Sequence, residues 1–245
     1  MSATLVRVAV LLAIAPAAFA YRPFDSTDAS VAEPREFELE LGASYMHEGD
    51  EESLGFPVIV ANYGIGGDRE IVLEGEIVRE LGDEGESRAS LVDTALSLKQ
   101  IHRTGSLQGA TGFSVASECG VLLPTIHDEE GVGATCTLIA SQSWRKGAMH
   151  LNGGVTFNRD QRWEGLFGAI AEGPEDWRLR PISEVRIAWV AGESTIASLL
   201  VGSIWRANAA LSFDLGVRYA TAGDSHGWEV RAGLTWRLPR VEPGQ

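Results

Sequence analysis

The stretch HGWEVRAGLTWRL, residues 226–238, alternates apolar and polar side chains with period two. Trp228, Val230, Ala232, Leu234, Trp236 and Leu238 make one set; Glu229, Arg231, Gly233, Thr235 and Arg237 make the other. Successive side chains of a strand point to opposite faces of its sheet, so this reads as a β-strand with one greasy and one charged face. Only two architectures accommodate both faces. A soluble sheet turns the greasy side toward a core, whereas a membrane barrel turns it toward lipid and the charges toward a lumen.

The pattern recurs along the chain. Phe37, Leu39, Leu41, Ala43 and Tyr45 oppose Glu36, Glu38, Glu40, Gly42 and Ser44, and Leu211, Phe213, Leu215, Val217 and Tyr219 oppose Ser212, Asp214, Gly216 and Arg218. Val92, Leu96 and Leu98 likewise oppose Asp93, Ser97 and Lys99. Runs of β-type residues, separated by breaks rich in Gly, Asp, Glu, Pro and Ser, cover 36–46, 54–64, 69–81, 89–102, 109–123, 131–144, 147–158, 163–172, 177–190, 194–205, 209–220 and 227–238. The runs at 54–64, 163–172 and 194–205 alternate poorly, which leaves their registers open.

Length favours the membrane. Most runs exceed the roughly five or six residues of an ordinary strand and suit a tilted membrane-crossing strand of about 9–11 plus overhang. A small soluble barrel also fills its interior with bulky groups, whereas here the second face is Gly, Ser, Thr or charge. The expected fold is all-β: a closed antiparallel transmembrane β-barrel of about 12 strands.

The first twenty residues, MSATLVRVAVLLAIAPAAFA, carry one early cation, a short apolar run and Ala18-Phe19-Ala20 as a small-x-small site. They predict a cleaved signal peptide over 1–20, with the mature chain starting at Tyr21. The remainder divides into an N-terminal periplasmic or lumen segment (21–35), the barrel (36–238) and a short tail (239–245). Export of a barrel predicts an outer-membrane location, with outer-membrane lipid, lipopolysaccharide and the barrel-assembly machinery as partners. A net charge of -14 argues against nucleic acid, which demands a basic surface.

With the amino terminus in the periplasm, connections 47–53, 82–87, 125–130, 159–162, 191–193 and 221–226 share the outer rim, and 65–68, 103–106, 145–146, 173–176 and 206–208 the inner one. Short turns below and longer loops above are expected. The three acidic outer loops are either simply solvated or a weak, nonspecific Mg²⁺ or Ca²⁺ screen. Tyr45, Trp144, Trp189, Trp205, Tyr219, Trp228 and Trp236 fall near strand ends, as an aromatic girdle at the lipid headgroups requires.

Candidate lumen or constriction residues are Glu38, Glu40, Glu74, Glu76, Asp93, Glu184, Arg186, Asp214, Arg218, Glu229, Arg231 and Arg237. Closure of the first strand on the last sets Glu36, Glu38 and Glu40 against Arg231 and Arg237, which attract across the seam. These charges either fill the lumen in pairs or form a constriction that selects solutes. A hairpin turning at His127-Asp128 sets Cys119 opposite Cys136, a candidate disulfide in an oxidising compartment, which a one-residue slip removes. Catalysis has little support: there is no GxSxG, and the two Cys cannot form a zinc site. His150 and Asn152 share one face with no Ser placed beside them, so they read as a polar pair. No cofactor is expected.

Several short motifs carry a resemblance. Arg22-Pro23-Phe24 with Thr27-Asp28-Ala29, then Phe37-Glu38-Leu39-Glu40-Leu41-Gly42, Asn62-Tyr63-Gly64, Glu118 through Leu123-Pro124-Thr125, and Gly233-Leu234-Thr235-Trp236-Arg237-Leu238 resemble the outer-membrane barrel family named for the meta-pathway of phenol degradation. The resemblance spans about residues 22–238 and implies a transporter or pore for small organic compounds. Two departures stand out: a single Asp28 follows Thr27 where the family doubles the Asp, and the chain runs past its last strand instead of ending on an aromatic. The function expected is passage of small molecules, hydrophobic organics among them. A non-transporting structural barrel sealed by side chains and residues 21–34 is the alternative, and a barrel hydrolase ranks below both.

Overall fold

The computed structural model describes residues 22–81, 89–126 and 130–238. The expected signal peptide, Tyr21, the 82–87 loop, the His127-Asp128 hairpin tip and the 239–245 tail lie outside the described residues. Twelve strands follow one another: β1 (Phe37–Glu48), β2 (Glu51–Gly64), β3 (Arg69–Leu81), β4 (Ala89–Arg103), β5 (Ser114–Leu122), β6 (Gly133–Trp144), β7 (Gly147–Phe157), β8 (Trp163–Glu172), β9 (Leu179–Val190), β10 (Ile196–Arg206), β11 (Leu211–Ala222) and β12 (Ser225–Leu238). Each pairs antiparallel with its neighbours, and β1 with β12 closes the barrel.

Sidedness is inverted relative to a soluble protein. Leu98, Leu138, Leu215 and Val217 stand on the outside, each 43–59% exposed, while Glu40, Glu118, Thr137, Asn152 and Glu184 are almost wholly buried inside. Burying apolar surface is favourable by about 25 cal/mol per Å². A barrel with this exterior therefore gains that energy from a hydrocarbon surround. Closure also pairs the strand backbones with one another, which hydrocarbon demands.

Aromatic side chains form two outward belts. Trp144, Trp205, Phe213 and Trp236 sit at the end where β1 begins, and Tyr45, Trp163, Trp189, Tyr219 and Trp228 sit at the other. Ring contacts tie neighbouring strands within each belt: Trp205 stacks on Phe213 at 5.5 Å, and Tyr45 meets Trp228 at 5.4 Å.

Four sequence expectations need correction. The strand expected over 109–123 starts only at Ser114, because 104–113 forms a loop with a short 3-10 turn (Ser106–Gln108) and left-handed Gly109 and Gly112. The loops expected at 47–53 and 221–226 are two-residue turns at 49–50 and 223–224, each using a glycine with φ near 60°. Connection lengths thus do not separate the ends into a short-turn and a long-loop rim. Thirdly, Val92 does not share the outward face of Leu96 and Leu98: a bulge between Glu74 and Glu76 shifts the β3–β4 register, and Val92 pairs with inward Glu76. Asp93 lies in that bulge with φ 53°.

The fourth concerns the three ambiguous runs. β2 carries a bulge at Phe56 and Pro57 that breaks its alternation. β8 and β10 are regular, but apolar on both sides: Ile170, Leu200 and Ile204 are buried inside while Phe167, Leu199 and Val201 face out.

Replacing Leu215, at the middle of β11 and facing out, by Arg should destabilise the barrel by about 2–4 kcal/mol, read as the shift in reversible urea unfolding in lipid vesicles.

Candidate functional site

The lumen is occupied by the chain's own residues 22–34. An irregular segment in a closed interior must satisfy its backbone groups without a ladder, and here side chains of the barrel wall do so. The Arg22 amide donates to Glu40 Oε2 (3.0 Å), and the Asp25 and Ser26 amides donate to the two oxygens of Glu184 (2.8 Å each). Thr27 and Asn152 bond reciprocally, backbone N–H to Oδ1 at 3.1 Å and Nδ2 to backbone C=O at 2.8 Å. The Ala29 amide donates to Ser141 Oγ (2.9 Å) and the Ala32 amide to Glu70 Oε2 (2.6 Å). The acceptors come from β1, β3, β6, β7 and β9, so the segment is held from most of the circumference.

Its side chains fit the wall equally closely. The Arg22 guanidinium lies against Gly42 and Gly233, where any Cβ would collide with it, and reaches Asp214 (3.3 Å) and the Ala232 carbonyl (2.9 Å). Ser26 fills the space that a side chain at Gly168 would take. Phe24 is fully buried against Ile170, Ile182, Leu200 and Ile204. That contact accounts for the apolar inner faces of β8 and β10. Further along, Ala29 and Val31 pack with Ile101, Leu107, Ala116 and Ile139.

Asp25 is the electrostatic centre. Arg231 approaches its Oδ1 at 2.5 Å, Arg218 pairs with its Oδ2, and Arg186 lies 3.9 Å from the same oxygen. Glu229 accepts from Arg231 (2.8 Å) and pairs with Arg218 (2.5 Å). Burial alone would raise the Asp25 carboxyl, but Arg218, Arg231 and Arg186 together outweigh it and hold the group far below the usual carboxylate range. A depressed acid of this kind contributes stability above its unfolded pKa and loses it only as pH falls through the depressed value. Asp28 is also lowered: burial opposes ionisation, and the Lys99 charge foremost favours it. Lys99 lies 3.7 Å from Asp28, 3.5 Å from Glu70, and donates to Thr27 Oγ1 at 2.9 Å.

The expected lumen residues thus have distinct placements. Glu40, Glu184 and Asp214 hold the segment; Arg186, Arg218, Glu229 and Arg231 gather at Asp25. Glu38 pairs with Arg237 across the β1–β12 seam at 2.5 Å. Arg231 does not face the Glu36–Glu38–Glu40 row, because the register sets it opposite Ser44, beyond that row. Glu76 accepts from Ser44 Oγ (2.9 Å), and Glu74 is buried near the β3–β4 bulge.

Sequence reasoning missed Glu70, Glu118 and Ser141 as interior groups, and left Lys99 out of the lumen candidates. Lys99 and Ser97 were legible as the polar face of β4, but nothing local says that a polar face meets another part of the chain. Ser141 also corrects the isolation of His150: its Oγ lies 2.8 Å from His150 Nδ1, His150 Nε2 lies 3.0 Å from Glu172, and Arg180 lies 2.9 Å from Glu172. The pair is cross-strand, since Ser141 is the direct β6 partner of His150 on β7. The order Ser–His–Glu is that of a hydrolytic triad, yet Ser141 is wholly buried under the segment and its oxygen already receives the Ala29 amide. Ser141 anchors the segment through that bond, with His150 and Glu172 behind it.

Cys119 and Cys136 are direct partners on β5 and β6, Cα to Cα 4.0 Å, with their sulfurs joined and their side chains on the outer face.

Two spaces flank the segment. At the end where β1 begins, a charged vestibule of about 1360 Å³ is lined by groups including Glu36, Glu38, Glu70, His150, Arg180, Arg206 and Arg237. At the other end a crevice of about 30 Å³ touches Arg186, Arg218 and Glu229 from the far side. That is room for roughly one or two waters.

No protein-family model matches the sequence, and no curated protein matches it either. Solved structures do. An outer membrane channel from Pseudomonas putida F1 superposes with a TM-score of 0.62 at 9% identity, over 88% of this chain and 100% of that one. The NanC porin gives 0.58 at 6% identity, over 82% and 100%, and the KdgM porin 0.54 at 7%, over 82% and 99%. The fold is that of the outer-membrane β-barrels. At these identities the likeness establishes architecture alone.

Replacing Asp25 by Asn should free the segment while leaving the barrel intact. Hydrogen exchange should quicken by at least about tenfold at the Asp25-to-Ala29 amides, for the loss of a buried charge-assisted bond of about 1.5–3 kcal/mol, with strand amides unchanged.

Proposed function

We propose that this chain is an outer-membrane channel for small molecules whose path is closed by its own residues 22–34. The observation that supports this most directly is the wall itself. Uncovered, Glu40, Glu70, Lys99, Asn152, Glu184, Arg186, Arg218 and Arg231 would line a continuous hydrated lumen leading from the vestibule to the opposite mouth. A barrel built only to be filled satisfies its interior more cheaply with apolar packing, since a buried ion pair often gains nothing over hydrophobic groups. The likeness to channels and porins, and the resemblance of Arg22-Pro23-Phe24 and the other motifs to the phenol meta-pathway barrels, point the same way.

In this reading residues 1–20 are removed on export, the end where β1 begins faces the periplasm, and lipid and lipopolysaccharide surround the aromatic belts. Folding is assigned to the barrel-assembly machinery. The charges at Glu38 and Glu40 favour cations in the vestibule. The competing reading, a permanently sealed structural barrel, draws on the same bonds that hold the segment.

Planar-bilayer recording separates the two. The full chain should stay closed for most of a trace, and deletion of residues 22–33 should raise mean conductance at least about tenfold, which corresponds to a shift of about 1.4 kcal/mol in a two-state closure. Changing Glu38 and Glu40 to Gln in the deleted form should lower its cation preference. A deleted form that shows heat-modifiable mobility, and so is folded, yet passes no current would establish the sealed barrel instead.

A further inference from the structure

Phe24 and Asp25 present two neighbouring groups of opposite character to two neighbouring sites on the wall. The phenyl ring enters an apolar recess of Ile170, Ile182, Leu200 and Ile204. The carboxylate enters the cluster of Arg186, Arg218 and Arg231. Neither site is completed by the barrel alone. Without Asp25 the ion pairs that Arg218 and Arg231 make with it are lost and Arg186 loses its nearest carboxylate, in a closed interior where an unpaired charge is costly.

A second observation shows that the cluster has capacity left over. Arg186 is 3% exposed, yet its Nε and Nη2 meet no hydrogen-bond acceptor among the described residues. Arg186 and Arg218 also line the small crevice at the mouth opposite the vestibule. Arg186 and Arg218, beside Glu48 and Glu229, thus border that mouth as well as the seat of Asp25. Guanidinium groups bind carboxylates through paired N–H donors, so an anion bound to them competes for the contacts that seat the segment.

We propose that the Phe24–Asp25 pair occupies a binding site for a small aryl carboxylate, and that such a molecule opens the lumen by displacing it. The inference rests on the channel reading for the opening step, but the binding step stands apart from it. A ring alone would satisfy the recess and leave the arginines to Asp25; a carboxylate alone would reach Arg186 and leave Phe24 seated. A molecule carrying both, joined by a short flexible chain, replaces both contacts at once.

The apparent affinity for such a ligand is reduced by the fraction of time the site is free. Calorimetric titration of phenylbutyrate into the detergent-solubilised full chain, with phenylbutanol and butyrate as probes lacking one group, tests this. Phenylbutyrate should bind, both partial probes should bind at least about tenfold more weakly, and Phe24→Ala with Asp25→Asn should tighten phenylbutyrate at least about tenfold by removing the internal competitor. Phe24→Ala alone, which keeps the ion cluster, should tighten it to a lesser degree, and Arg218→Gln in that background should abolish the gain. Heat-modifiable mobility verifies that each variant is folded.

Equal binding of phenylbutanol, or no gain on emptying the site, would overturn the inference. So would phenylbutyrate flux into liposomes that Arg218→Gln leaves unaltered, a result that keeps the channel. Binding with the expected order but no flux through any variant would uphold the site and overturn the channel reading.

Discussion

Three guanidinium groups, on β9, β11 and β12, converge inside a closed barrel and require an anion between them. Like charges in a low-dielectric interior repel strongly, and Glu229 sits between two of them. The carboxylate that meets all three is Asp25, brought in from outside the sheet by residues 22–34. Much of the interior follows from that requirement. Delivering Asp25 to the cluster carries an irregular backbone across the lumen, and that backbone needs acceptors, which Glu40, Glu184, Asn152, Ser141 and Glu70 supply.

The barrel was legible in the sequence because one side of nearly every strand had to match hydrocarbon. Trp228 through Leu238 states the period, the outward face and the strand length together, and the closure of β1 on β12 follows from the even number of runs. What local pattern could not state was any feature that depends on residues distant in sequence. β8 and β10 alternated poorly because Ile170, Leu200 and Ile204 serve Phe24, more than 140 positions earlier. The glycines at 42, 168 and 233 are small because Arg22 and Ser26 occupy the space a side chain would take there, which no neighbouring residue announces.

Other misreadings have a local cause. A bulge changes strand parity by one residue, so the inward set of β4 crosses over between Val92 and Ala95 and no period-two rule survives the crossing. The outer loops looked long because acidic residues read as loop, yet Glu48, Glu51 and Glu52 lie on strands that project past the belt, where water solvates both faces. Likewise, a Ser–His pair on facing strands has a sequence separation set by the hairpin alone. Ser141 and His150 meet because the turn at 145–146 is tight, and no motif announces that meeting.

The two ends of the lumen differ in a way that gives the segment a direction. It is tethered to β1 at Phe37, on the vestibule side, and its free space lies on that side as well, about 1360 Å³ against about 30 Å³ at the other mouth. Withdrawal toward the vestibule breaks the bonds to the wall but moves no strand, so the closed ladder that hydrocarbon demands is never opened. Withdrawal the other way would drag the chain past Arg186 and Arg218 and strain the tether. The ion cluster that holds the segment borders the small crevice, opposite the tether, so the proposed ligand would act on the segment from the end away from its attachment to β1.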